Sequence, residues 1–98
     1  MQRHVLLCYD ICNERRLRRV HGIARDFGVP IQYSIFLCRL TPGDRVMLIT
    51  RLLRALDPSV DQVMLVDMGK VTRSEATVPG TQVLGCSRMP ADRGPKVL

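Results

Sequence analysis

The chain opens on a continuous apolar run, His4-Val5-Leu6-Leu7-Cys8-Tyr9, bounded by Arg3 and Asp10. A short run of this kind predicts a strand over residues 3–10 that is buried on both faces and central in its sheet. Side chains alternate across a strand, so Leu6, Cys8 and Asp10 share one face while Val5, Leu7 and Tyr9 share the other. The period then changes. Leu17, Val20, Ala24 and Phe27 recur at helical spacing and form a buried stripe. Asn13 serves as the N-cap, and Glu14 sits at the positive end of the helix dipole. Gly28 as the C′ residue and Pro30 as a stop end this first helix. From Ile31 to Leu40 the pattern is β again, with Ile31, Tyr33, Ile35 and Leu37 on one side and Gln32, Ser34, Phe36 and Cys38 on the other. No turn residue interrupts the segment, and one long strand and two kinked pieces both remain open.

Thr41-Pro42-Gly43-Asp44 is a strong helix start, with Thr as N-cap, Pro at the first position and an acid at the third. The second helix turns Met47, Leu48, Leu52, Ala55 and Leu56 inward and is broken at Asp57-Pro58-Ser59. A third apolar strand spans Asp61 to Met68. Weaker strand patterns follow over Val71 to Val78 and Thr81 to Cys86, separated by a Pro79-Gly80 turn. This order predicts an α+β sandwich of ferredoxin-like type, with two helices on one face of a mostly antiparallel sheet of four to five strands. Residues 1–86 form the single domain, and 87–98 are an irregular tail that is a candidate for docking on a partner. The sheet face without helices must be wet or covered by a partner.

Charge adds a direction to this picture. The net charge of +6 lies wholly in residues 1–56, where ten arginines stand against four acids; residues 57–98 balance five against five. Thirteen of the fifteen basic residues are Arg, the side chain that grips phosphate through a planar fork. A polyanionic partner, most simply DNA or RNA, follows from that bias. Arg15, Arg16, Arg18, Arg19 and Arg25 all fall on the first helix and are the candidate nucleic-acid-binding residues. The four cysteines form no CxxC pair and are read as idle thiols, and His4 and His21 as structural. The chain has no run of membrane-span length and its N-terminus lacks a signal-peptide layout, so a cytoplasmic location and no membrane contact are expected.

Several stretches resemble the second of the universal CRISPR-associated proteins, the Cas-two family. They are Tyr9-Asp10-Ile11 at the end of the first strand, Arg15-Arg16-Leu17-Arg18-Arg19-Val20 on the helix, Phe27-Gly28 closing it, Gln32-Tyr33-Ser34-Ile35-Phe36, and Asp57-Pro58 leading into Asp61-Gln62-Val63. The match runs in order over roughly residues 3–70 with spacings intact. The resemblance implies a ferredoxin-like fold, a homodimer, and work alongside the CRISPR adaptation integrase in capturing new spacers. It implies either a Mg²⁺-dependent endonuclease acting on RNA or double-stranded DNA, with Mn²⁺ able to substitute, or a non-catalytic adaptor that bridges integrase subunits. By the same matching Asp10 is the metal-binding acid, and Tyr9, Arg16, Arg18 or Arg19, and Phe36 occupy positions linked with activity or active-site shape, so that Tyr9, Arg16, Arg19 and Phe36 join Asp10 as the candidate catalytic residues. Leu37 departs from the family pattern, which often has an acid after the motif Phe. A stand-alone ribonuclease toxin of similar fold is a further reading.

Residue chemistry supplies its own argument for the metal. One Asp10 per chain is a thin site, but a two-fold axis faces each surface patch with its own copy and brings two Asp10 carboxylates together. Two close carboxylates repel and favour a cation between them. No histidine stands where it could act as general base, so activity is expected to rise with pH across the neutral range.

Overall fold

In the computed structural model, which describes residues 1–71 together with residues 82, 84 and 85, six elements follow one another. They are β1 (Arg3–Asp10), α1 (Glu14–Phe27), β2 (Gly28–Gln32), β3 (Ile35–Leu40), α2 (Pro42–Ala55) and β4 (Gln62–Lys70). The strands form an antiparallel sheet in the order β2-β3-β1-β4, which is the ferredoxin-like arrangement with β1 in the interior. Both helices lie on one face. Val5, Leu7 and Tyr9 of β1 and Phe36, Cys38 and Leu40 of β3 meet Val20, Ile23 and Ala24 of α1 and Leu48, Leu52 and Ala55 of α2 in one core. The other face carries Leu6 and Cys8 of β1, paired in register with Leu37 and Ile35 of β3 and with Val66 and Met64 of β4. That face is apolar and no helix covers it.

Local chemistry starts both helices as expected. The Asn13 side chain accepts from the Arg16 backbone N–H at 3.0 Å. Thr41 and Asp44 cap one another: Thr41 Oγ1 accepts from the Asp44 N–H at 3.1 Å, and Asp44 Oδ2 accepts from the Thr41 N–H at 3.0 Å. Among the described residues no helix is long and apolar enough to cross a membrane.

The segment after α1 corrects the sequence reading. Gly28 does not end the helix in a left-handed conformation; its φ is −159°, and it already pairs with Cys38 as the first residue of β2. Pro30 lies inside that strand, where it is tolerated because β2 is a sheet edge. Residues 31–40 are thus neither one strand nor a kinked pair. They contain most of a hairpin, in which Gln32 pairs with Ile35 across a Tyr33-Ser34 turn and the register shifts between Pro30 and Gln32. Two-residue hairpin turns usually announce themselves through residues with positive φ. Among the described residues no non-glycine has one, so this turn carries no such mark.

Gly28 is glycine for a different reason. A Cβ there would stand 2.6 Å from both the Leu37 carbonyl oxygen and Cys38 Sγ. Gly28→Ala is therefore expected to destabilise the fold by about 1–3 kcal/mol through backbone displacement of β3, read as a lower midpoint in urea unfolding at unchanged slope.

Two smaller differences concern the helices. Met47 is 58% exposed rather than inward, because Leu48, Leu52 and Ala55 alone make the buried row and Met47 falls about 100° away from it. Ile23 joins the buried stripe of α1. β4 extends to Lys70, and the Val71 N–H then donates to the Gln2 carbonyl at 2.9 Å. The patterns over 72–78 and 81–86 and the tail 87–98 lie outside the described residues, apart from the isolated positions 82, 84 and 85.

Candidate nucleic-acid and metal site

The register of β1 against β4 creates the site. Asp10 at the end of β1 pairs with Gln62 at the start of β4, so Asp61 comes to lie beside the β1–α1 loop. The Asp61 carboxylate is fully buried there and is satisfied from four directions. It accepts from Arg16 Nε at 2.7 Å, from Arg16 NH2 at 3.3 Å, from the Cys12 backbone N–H at 2.9 Å and from the Asp57 backbone N–H at 2.8 Å. The Arg16 guanidinium, followed by these backbone donors, holds the Asp61 carboxyl well below the usual carboxylate range. Cys12 Sγ adds a bond to the Val60 carbonyl at 2.9 Å. This clasp ties the loop after Asp10 to the turn that starts β4.

Asp10, the metal-binding acid that the resemblance implies, does not face the arginine helix. Arg16 turns to Asp61, and Asp10 is exposed on the sheet face opposite the helices. Alternation along β1 explains this: Tyr9 points to the helix side and Asp10 away from it. Among the described residues Asp10 has no hydrogen bond or ion pair, and no group of three ligating side chains forms.

The helix arginines divide into two kinds. Arg16 is half-buried in the clasp, while Arg15, Arg18, Arg19 and Arg25 are exposed and have no carboxylate partner among the described residues. Four unpaired guanidiniums on one helix are a phosphate-binding surface in waiting. Arg18 and Arg25 are seven residues apart, hence on one row of the helix and roughly 10 Å from each other.

Tyr9 is 6% exposed and its hydroxyl hydrogen-bonds His21 Nδ1 at 2.7 Å. Burial, with Tyr33 nearby, pushes the Tyr9 phenol up, so it stays protonated at neutral pH. Phe36, fully buried, stacks on Tyr9 at 6.2 Å and meets His21 edge-on at 5.3 Å. Phe36 has no surface with which to touch a substrate. His4, on the other side of the sheet, is buried. Cys8, Cys12 and Cys38 are free thiols, and burial pushes the Cys38 thiol up to about 11. Asp61 is the residue that reading along the chain undervalues. Its one local signal is the Asp57-Pro58 helix break followed by an acid just before an apolar strand.

The family model described as CRISPR associated protein Cas2 matches residues 2–76. The chain is 34% identical over 70 residues to the "CRISPR-associated endoribonuclease Cas2" of Chlorobaculum tepidum, covering 66% of this chain and 73% of that protein. It is 32% identical over 83 residues to the protein of the same name from Nitratidesulfovibrio vulgaris, covering 80% of this chain and 81% of the relative. The crystal structure of Streptococcus pyogenes Cas2 at pH 6.5 superposes with a TM-score of 0.60 at 32% identity, over 64% of this chain and 82% of that one. With the family model spanning three quarters of its length, the chain belongs to the CRISPR-associated Cas2 family.

Proposed function

We propose that the protein acts in CRISPR adaptation as a homodimer that binds nucleic acid, partners the adaptation integrase and cleaves phosphodiester bonds of RNA or double-stranded DNA with Mg²⁺ or Mn²⁺. The observations that carry the reading are an exposed Asp10 at the end of β1, on the sheet face away from the helices, and four exposed arginines on the helix that follows, none of them ion-paired among the described residues. The names of the relatives, which call them endoribonucleases, agree with it.

The apolar sheet face supports self-association. Leu6, Cys8, Ile35, Met64 and Val66 form a patch on the side away from the helices, with Met64 52% exposed. A two-fold contact through it would bury this area. Asp10 lies on the same face at the end of β1, so the two copies of Asp10 would hold the metal. Mg²⁺ keeps several waters and needs only one or two carboxylates beside a phosphate, and the donor set fits it on those terms. When bound, the ion supplies Lewis-acid polarisation of the phosphoryl group. The chain's own residues do the rest. Arg15, Arg18, Arg19 and Arg25 neutralise and orient the backbone, and the Arg16–Asp61 clasp fixes the loop that follows Asp10. Tyr9 holds its proton at neutral pH and is not a base.

Sedimentation of the purified protein and cleavage assays with Mg²⁺, Mn²⁺ and EDTA test the reading. A dimer that cleaves with either metal and stops in EDTA is expected. A monomer that cleaves at the same rate would exclude the shared Asp10 site. The exposed arginines predict steeply salt-dependent binding, and replacing Arg18 and Arg25 together with Ala should lower the slope of log K against log salt by about 2 on duplex DNA.

The buried Leu37 favours a second reading, since it stands where the family often has an acid. In that reading the dimer bridges integrase subunits without cutting. Spacer capture that survives loss of cleavage would select it.

A further inference from the structure

The helix side of the sheet carries a cleft that shares Tyr9 and Arg18 with the proposed site and adds Leu17, His21 and Tyr33, to which that reading gives no role. It is lined by Tyr9, Leu17, Arg18, His21 and Tyr33 and encloses about 270 Å³. Its position follows from the fold: Tyr9 is the last but one residue of β1, the three helix residues lie on one flank of α1, and Tyr33 sits in the β2–β3 turn. The geometry points to a pocket for one unpaired nucleobase of a bound strand, stacked on Tyr33 with its phosphate on Arg18. This rests on the reading of the protein as a nucleic-acid binder.

Size and lining both select the ligand. The volume is at the lower end of small-molecule sites, suited to a single planar ring system. Tyr33 is 80% exposed, an unusual state for a large aromatic and one that leaves a ring face free for stacking. Leu17 adds an apolar wall. The Tyr9 hydroxyl and His21 Nδ1, 2.7 Å apart, supply a polar edge. In either direction of this bond one proton remains for a base edge: His21 Nε2–H where the phenol donates to Nδ1, and the phenol O–H where Nδ1–H donates to it. Phe36 packs against both rings from the core and fixes their orientation.

Charge identifies what the base is attached to. Arg18 has no carboxylate partner among the described residues, and Arg25 continues its row along the helix, giving a track for the backbone on the rim of the cleft. No Asp or Glu lines the cleft, which argues against a metal or a cationic ligand. A base held in a duplex is stacked and paired and cannot enter. The pocket therefore favours single strands or frayed ends.

The test uses the full-length protein, a short single-stranded oligonucleotide containing 2-aminopurine, and a duplex of equal length. Binding is followed by anisotropy and stacking by quenching of the 2-aminopurine emission. The wild type should quench the probe. Tyr33→Ala should abolish the quenching and weaken single-strand binding roughly 5- to 100-fold, the effect of losing one base–aromatic stack. Duplex binding should be unchanged, and Tyr33→Phe should retain quenching and affinity. An exposed turn residue can be changed without loss of the core, and an unaltered thermal midpoint confirms that. Unchanged quenching in Tyr33→Ala, or an equal loss on duplex and single strand, overturns the pocket while leaving nucleic-acid binding intact. Failure of the wild type to bind either substrate overturns the functional reading and the pocket with it.

Discussion

Asp10→Asn is expected to remove divalent-cation-dependent cleavage by about 100-fold or more while leaving the fold and duplex binding unaltered. The size follows from what a metal supplies, several kcal/mol of charge stabilisation at about tenfold in rate per 1.4 kcal/mol. The selectivity follows from the surroundings of the carboxylate, which is exposed and has no hydrogen bond or ion pair among the described residues. Nothing in the described fold depends on its charge. Phosphate contact by the arginines is likewise independent of it. The measurements are cleavage of RNA and of duplex DNA with Mg²⁺, Mn²⁺ and EDTA, beside thermal unfolding and binding of the same preparations. Retained cleavage in Asp10→Asn would remove Asp10 from the chemistry.

Asp61→Ala is expected to act in the opposite manner, with a large loss of stability from a residue that touches no substrate. The substitution leaves the backbone N–H groups of Cys12 and Asp57 and the Arg16 guanidinium without their acceptor. Losing several bonds to one buried charged group should lower the Tm by on the order of 10 °C in a domain of this size. Cleavage should fall as well, because the loop that follows Asp10 loses its anchor. Arg16→Lys keeps the charge but not the fork, and an intermediate Tm is expected.

The same clasp predicts an acid limb in the stability profile. The folded-state pKa of Asp61 is depressed below its unfolded value near 3.9. Its contribution is complete above that value and is lost as the pH falls below about 4. Asp67, exposed and held down by Arg3, and Asp57, half-buried and held down by Ser59, shift in the same direction. Asp61→Asn should flatten the profile below about pH 4 and leave its shape at neutral pH unchanged. A wild-type acid limb that persists in Asp61→Asn would assign it to other groups.

How much of this was legible along the chain depended on whether the signal was local. The caps at Asn13 and Thr41, the alternation of β1 and the arginine face of α1 involve residues within one or two turns of each other, and they appear as read. The β2–β3 hairpin was not legible, because its turn uses Tyr33-Ser34 and its leading glycine answers a close approach of β3 instead of a helix end. The partner of Arg16 was also hidden. Two acids stand at strand ends, Asp10 and Asp61, and only the pairing of β1 with β4 shows that Arg16 reaches the one 45 residues away.

By itself the sequence determined the α+β class, the helix that carries the basic surface, and which residues of β1 share a face. Each follows from periodicity or from residue type, properties that a chain possesses before it folds. Tertiary structure decided which arginines are left free, which acid is exposed, and that Tyr9, His21 and Tyr33 meet around a cleft. Those outcomes depend on strand order and register, which bring together side chains distant in sequence, and no local pattern encodes that distance.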